Sequence, residues 1–392
     1  MSHIAFCVPA AAGHVNPTLG VAAELVARGH QVSYAVTTSY ADRISELGAK
    51  LVPYQTARAD SGPPPQFTAK DFPRAMRGAL REARFVLPQV IEGYRGGEPD
   101  VVVHDASIAW WGRIAAATWK APVVPCWPNF VGNKHWSLNT YIKLNPFHPA
   151  FLFALWQASR LARPYGLTLA NLLSGEGADA QLVFLPRAFQ FAGDTFEAPY
   201  AFVGPCLTER AFQGSWQPPA GRKVVLISLG TAYHNQAAFF RACLAAFNDP
   251  SWHVVMAIGD VIDRSDLGPI PSHVEVHTFA PQLQVLRHAA AFVSHAGMGS
   301  TMEALSFGVP IVAVPQMTEQ QANADRIAEL GLGVHLPPAE VTAERLRNAV
   351  YEIATSERIA ANLGEMRAEI VRAGGAKAAA DVVERVLADR KV

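Results

Sequence analysis

This chain of 392 residues has few cysteines, no surplus of charge of either sign and no long apolar run. Its four cysteines, Cys7, Cys126, Cys206 and Cys243, form no Cys-x-x-Cys pair and no Cys/His cluster at zinc spacing. Neither a structural zinc nor a small disulfide scaffold is indicated, and thiols scattered through apolar runs read as buried and reduced. Lys+Arg and Asp+Glu number 33 each, so the formal charge is zero and the basic footprint of a nucleic-acid binder is missing. No uninterrupted apolar stretch reaches the ~18 residues that a membrane span needs. The opening MSHIAFCVPAAAGH has no basic segment ahead of its apolar residues, so it does not read as a secretory leader, and a cytoplasmic location is expected. No Gly-x-Ser-x-Gly elbow occurs, which argues against a serine hydrolase, and no Asp-x-Asp occurs to bracket a metal.

What the chain does have is apolar residues, which make up 50% of it against 17% charged. That suits a large interior, and the length suits two cores better than one. Short β-branched runs alternate with helical patterns from the start. Strands are expected over 4–8, 31–36, 50–53 and 101–103, the last closed by His104-Asp105. Asn16-Pro17 reads as cap and first residue of a helix that Gly29 ends. Residues 57–73 and 128–180 read as irregular connections. Strands recur over 181–185 and 200–203, and a second series follows over 224–228, 252–258, 274–278, 291–294 and 310–314. Strands apolar on both faces, alternating with helices, indicate parallel doubly wound sheets. The expected fold is therefore α/β, with two Rossmann-like domains facing a cleft. The domains are placed at 1–212 and 223–375, joined by a linker over 213–222. A final helix over 376–392 packs back toward the first domain.

Ser294-His295-Ala296-Gly297-Met298-Gly299-Ser300-Thr301 lies where a strand feeds a helix. The glycines allow close backbone approach, and a helix N-terminus offers unpaired N–H groups to a diphosphate. His295 can donate to a phosphate oxygen, and Glu303 is placed to accept from ribose hydroxyls. Two glycines alone would equally make an ordinary strand-to-helix turn. Met302 stands where the dinucleotide fingerprint needs its third glycine, and no Gly-Lys-Ser/Thr is present. The neighbourhood strengthens the signal: Ala280-Pro281-Gln282-Leu283 and Thr318-Glu319-Gln320 also leave strand ends, where open α/β sheets bind ligands.

From Gly13-His14-Val15-Asn16-Pro17 to Gly374-Gly375, and most specifically over 279–320, the chain resembles the glycosyltransferases that use UDP-sugars, most closely the bacterial macrolide and flavonoid enzymes. The resemblance implies the GT-B architecture, with the donor held mostly by the C-terminal domain. It implies that Phe279 stacks on uracil and that the backbone at Ala280 and Gln282 hydrogen-bonds it. Glu303 takes the ribose, and His295, Gly297, Gly299, Ser300 and Thr301 hold the diphosphate. Ser228, Gly230 and Thr231 approach it from another strand end. Glu319 and Gln320 read the hexose. Phe279 stands where Trp is common, and Glu319 where plant members often carry Asp.

Transfer to a hydroxyl needs a base, and His14, after the first strand and near a helix N-terminus, has the right chemistry. Asp105 ends an apolar strand at the same sheet edge and is its natural partner. The resemblance places both on the family's catalytic dyad. His104 points to the opposite face by strand alternation and reads as structural. In-line attack would invert the anomeric centre. With the helix N-terminus and His295 facing the departing diphosphate, no metal or other cofactor is expected, and UDP-sugar is a co-substrate. Trp110, Trp111, Trp127, Phe130, Trp136, Tyr141, Phe147 and Phe151 are candidates to line an apolar acceptor pocket, though several are equally suited to a core. The rival readings are a TDP-deoxysugar transferase, a non-catalytic nucleotide-sugar-binding protein and a dinucleotide oxidoreductase.

Overall fold

The computed structural model describes residues 1–57, 69–208, 214–230 and 236–389. They divide into two compact units, the first running to Thr208 and resuming at Ile370, the second ending at Glu369. In chain order the first unit contains β1 (His3–Cys7), α1 (Ala12–Ala27), β2 (Gln31–Val36), α2 (Ala41–Glu46), β3 (Lys50–Pro53), α3 (Phe72–Gly93) and β4 (Val101–Asp105). Next come α4 (Trp110–Trp119), β5 (Val123–Trp127), α5 (Asn139–Ile142), α6 (Pro149–Ala162), α7 (Leu169–Leu173), β6 (Gln181–Val183) and β7 (Tyr200–Phe202). The second unit carries β8 (Lys223–Ser228), α8 (Ala237–Ala246), β9 (Trp252–Ala257), β10 (Val274–His277), α9 (Gln282–Leu286), β11 (Ala289–Ser294) and α10 (Met298–Phe307). It continues with β12 (Ile311–Ala313), α11 (Thr318–Glu329), β13 (Gly333–His335) and α12 (Ala343–Thr355). Helix α13 (Glu357–Ala373) spans the boundary, and α14 (Gly375–Ala388) belongs to the first unit.

Every described strand pair is parallel. The first sheet runs β3-β2-β1-β4-β5-β6-β7 and the second β10-β9-β8-β11-β12-β13. Each reverses direction once, between β1 and β4 and between β8 and β11, and such crevices at strand C-termini are where doubly wound sheets take ligands. The strands are buried on both faces because helices cover both. On one face of the first sheet Ile4, Phe6 and Val103 pack with Val15, Leu19 and Leu25 of α1 and with Ala379, Val383 and Val386 of α14. On the other, Ala5, Cys7 and Val102 meet Leu80, Ala83, Val86 and Val90 of α3 and Trp111 and Ile114 of α4. Gly112 is what lets α4 come this close, since a Cβ there would lie 2.7 Å from both Cys7 and His104.

Two expectations need correction. Helix α1 starts at Ala12, four residues before Asn16, and contains Pro17. A proline there removes the donor for the Gly13 carbonyl, but burial of Leu19, Val21, Ala22 and Leu25 outweighs one lost bond. Residues 128–180 are also more regular than expected, for they contain α5, α6 and α7, with α6 packing Ala154, Ala158 and Ala162 into the core with α3.

Candidate active site

His14 is the third residue of α1, in its first turn, and Asp105 is the last residue of β4. The two strands leading to them are neighbours, with Cys7 paired to His104. His14 Nδ1 lies 2.7 Å from Asp105 Oδ2. The histidine side chain is 20% exposed, whereas the carboxylate is buried. Burial alone would push the Asp105 carboxyl up, but the His14 charge and hydrogen bonds from His14, Ser107 and Ile108 outweigh it and hold the group below the ordinary aspartate range. Its second oxygen, Oδ1, accepts from the Ser107 N–H at 3.1 Å, the Ser107 hydroxyl at 2.6 Å and the Ile108 N–H at 3.0 Å. The carboxylate is thus fixed in rotation, with one oxygen committed to the backbone turn and the other to the imidazole. An ionised Asp105 makes Nδ1 the protonated nitrogen and leaves base chemistry to Nε2. His104 turns away: buried, it meets the Asp105 carbonyl at 3.1 Å through Nδ1.

In the second unit, Ser228 and Ser294 are paired residues at the ends of β8 and β11. Each hydroxyl accepts from the N–H two residues on, Gly230 at 3.2 Å and Ala296 at 3.1 Å. The His295 ring lies between the two turns. A Cβ at Gly230 would sit 2.5 Å from it, and one at Gly297 would overlap its Nε2. Glycine is needed at both places to admit the ring, and at Gly230 also for a φ of 76°. Burial lowers the His295 imidazole to about 4 although a hydrogen bond to the Ser228 backbone pulls the other way, so the ring is neutral near pH 7. Gly297 is the N-cap of α10 and Thr301 N–H makes a bond to its carbonyl at 2.9 Å. The N–H groups of Met298, Gly299 and Ser300 therefore precede the helical ladder, as a phosphate site requires. Ala296, before the cap, has a left-handed φ of 59°.

Glu303 is buried on α10 and takes Gln282 Nε2 at 2.6 Å, while the same amide reaches Ser300 Oγ at 3.1 Å. The side chain of Gln282, at the first position of α9, thus ties α9 to the first turn of α10. Phe279, just ahead, is 60% exposed, and Ala280 beside it is buried. Glu319 and Gln320 stand in the first turn of α11, where Gln320 Oε1 accepts from the Gln316 N–H at 2.8 Å. Thr231 lies outside the described residues.

The aromatic candidates do not act as one wall. Trp110 and Trp111 are core residues and offer no surface to a ligand. Trp127 is half-buried with its Nε1 on Gln181 at 2.7 Å. Phe130 and Trp136 belong to a cluster with Phe189 and Phe191, in which Trp136 stacks on Phe191 at 4.8 Å. Tyr141 is half-buried on α5, Phe151 meets Phe72 at 6.0 Å, and Phe147 is 81% exposed in the segment before α6.

A glycine-rich turn that opens a helix at the switch point of one sheet, a histidine–carboxylate pair at the switch point of the other and an exposed Phe279 ring just after β10 suit a chain that handles nucleotide sugars, and its relatives agree. Over 409 aligned residues the chain is 42% identical to demethyllactenocin mycarosyltransferase of Streptomyces fradiae, covering 99% of this chain and 87% of that one. The chain belongs to this glycosyltransferase family. NDP-glycosyltransferase YjiC of Bacillus licheniformis is 37% identical over 98% of both chains. Residues 242–388 match the family described as erythromycin biosynthesis protein CIII-like, C-terminal domain. Among solved structures, the glycotransferase of kitacinnamycin superposes with a TM-score of 0.86 at 35% identity, covering 98% of each chain. The glycosyltransferase therefore has the GT-B fold of two Rossmann-like units.

Three residues of this glycosyltransferase escape the sequence reading. Ser107 had a signal, because Asp-x-Ser is a turn in which the carboxylate accepts from the N–H two residues on. The Gln282 side chain had none beyond its position. Asn323, buried on α11, donates from Nδ2 to the Ala296 carbonyl at 2.8 Å, across 27 residues, with nothing local to announce it.

Proposed function

We propose that this glycosyltransferase moves a hexose, glucose foremost, from a UDP-sugar to a hydroxyl of a small apolar acceptor such as a macrolide, a flavonoid or another polyketide. The observation that carries the reading is the 2.7 Å contact between His14 and a buried, rotationally fixed Asp105. In the proposed step the acceptor oxygen bonds to the anomeric carbon as the bond from that carbon to the diphosphate oxygen breaks. The acceptor proton passes to His14 Nε2, and Asp105 remains ionised and stabilises the imidazolium. Displacement from the opposite face inverts the centre. The N–H groups at the start of α10 and the neutral His295 receive the charge that gathers on the leaving UDP, with no metal required. The exposed Phe279 ring suits a nucleobase, and the Glu303 carboxylate suits ribose hydroxyls.

The relatives' names support a nucleotide-sugar donor and a natural-product acceptor, and they bring a second donor reading with them. The Streptomyces fradiae protein is named for mycarosyl transfer, which favours a TDP-deoxysugar in place of the UDP-hexose. Incubation with UDP- and TDP-sugars against a panel of aglycones, read by mass spectrometry, tests both. A hexose increment with UDP release is expected. Product from TDP-deoxysugars alone would replace the donor assignment, and no transfer from any nucleotide sugar would end the reading.

A further inference from the structure

We propose that Asn323 is a positioning residue for the donor diphosphate, acting through the backbone of Ala296; this rests on the donor reading above. Ala296 is not glycine, yet its φ is 59°, a region where a Cβ is crowded and which side chains seldom occupy without support. Its support comes from both ends of the residue. The Ala296 N–H goes to Ser294 Oγ at 3.1 Å, and its carbonyl takes Asn323 Nδ2 at 2.8 Å. Ser294, Ala296 and Asn323 are all wholly buried.

The turn held this way sets everything that follows it. It reverses the chain after β11 so that Gly297 becomes an extended N-cap and the N–H groups of 298–300 lead α10. It also fixes where the His295 ring lies against Gly230 and Gly297. Asn323 Oδ1 meanwhile has no partner among the described residues, and neither do Thr301 Oγ1 and His295 Nδ1. A leucine would fill the same space without burying an unmatched carbonyl oxygen. Packing alone therefore does not account for an amide at 323, whereas its bond to Ala296 does. Because α11 also carries Glu319 and Gln320 at its start, one helix holds the phosphate turn and presents the residues assigned to the hexose.

The test is calorimetric titration of UDP and TDP into the full-length parent, Asn323→Leu, Ala296→Gly and the double variant. N323L should bind about 10-fold more weakly, the order of cost expected when a left-handed alanine is released. Glycine reaches that conformation without support, so A296G should restore the double variant to within about threefold of the parent. In steady state the donor KM should carry the loss and kcat should move less. Parent-like binding by N323L, or a double variant as weak as N323L, overturns the proposal. If N323L does not fold, Ser294→Ala with and without A296G carries the same expectation of loss and rescue, and parent-like binding or a failed rescue there overturns the proposal equally. A parent that binds neither diphosphate overturns the donor reading itself, and this role with it.

Discussion

His14 Nδ1 faces one oxygen of Asp105 at 2.7 Å, while the other oxygen collects three donors from Ser107 and Ile108. This division of labour decides what Asp105→Asn should do. The amide oxygen will turn to the three donors, so the NH2 group must face His14 Nδ1. Nδ1 then has to accept, the proton moves to Nε2, and the base is lost. Turnover of an alcohol acceptor should fall by about 10²–10⁴-fold, the usual worth of a positioned base. A phenol acceptor, which ionises more readily, should lose less. Alcohol turnover within a few-fold of the parent would sink the assignment of His14.

Acid should weaken the fold in a defined window through His104. Burial, aided by the charge of Arg113, brings its imidazole from the ordinary 6.5 to about 4. The unfolded chain therefore takes up this proton at a higher pH than the folded one. The stabilisation is complete above pH 6.5, declines as pH falls toward 4 and changes no further below it, a span worth up to roughly 3 kcal/mol. His295, also at about 4, contributes in the same window, and Asp105 only below the ordinary aspartate range. Melting temperatures from pH 7.5 to 4 should fall for the parent and less steeply for His104→Asn. Parallel curves would refute this.

Two glycines of the phosphate turn should respond differently to alanine. At Gly297 the added Cβ overlaps the His295 ring, whereas at Gly299 it meets nothing within 4 Å. Gly297→Ala should lower both the melting temperature and nucleotide affinity. Gly299→Ala should keep or slightly raise the melting temperature, since alanine favours helix by roughly 0.5–1 kcal/mol. If a diphosphate approaches that backbone closely, Gly299→Ala should still lose about 10-fold in UDP affinity. Unchanged UDP affinity in Gly299→Ala would remove the ligand from this part of the turn.

Chelation gives a third kind of test. The sequence has no Asp-x-Asp, and among the described residues no three His, Cys, Asp or Glu side chains gather to hold a metal. Activity should survive excess EDTA. Complete loss, restored by Mg²⁺ or Mn²⁺, would transfer to a metal the role proposed for the backbone N–H groups that open α10.

Glu303 should be read out by ribose. Gln282 orients one of its oxygens at 2.6 Å, and Glu303→Gln removes charge from the hydrogen bonds proposed to the sugar hydroxyls. Such bonds are worth about 1.5–3 kcal/mol when one partner is charged. The parent should bind UDP at least about 10-fold better than 2′,3′-dideoxy-UDP, and the variant should bind them nearly alike. A parent indifferent to the missing hydroxyls would show that the ribose is held elsewhere.

Most of the framework was legible because parallel strands buried on both faces must be apolar throughout, as Val101-Val102-Val103 and Val224-Val225-Leu226-Ile227 are. His14 and Asp105 were legible for the complementary reason, being polar residues beside such runs. The start of α1 was not, since Asn16-Pro17 is a strong local signal that burial of the helix's apolar face overrides. Helix α3 hides its stripe of Met76, Leu80, Ala83, Leu87 and Val90 among Arg74, Arg77, Arg81 and Arg84. The left-handed alanine at 296 is invisible locally, because alanine has no preference for that conformation and its support arrives from another helix.

Helix α14 is fastened to α1 by more than its apolar face: Arg28 reaches Asp381 at 2.6 Å and Glu384 at 2.7 Å, and His30 reaches Glu384 at 2.9 Å. The first unit is therefore interrupted by about 160 residues of the second before its last helix is supplied. On a ribosome adding ~5–20 residues per second, the nascent first unit waits roughly 10–30 s with one side of α1 bare. For that interval Leu19, Ala22 and Leu25 lack the cover that Ala379, Val383 and Val386 later provide. During synthesis, then, the half carrying His14 is the first to be begun and the last to be completed.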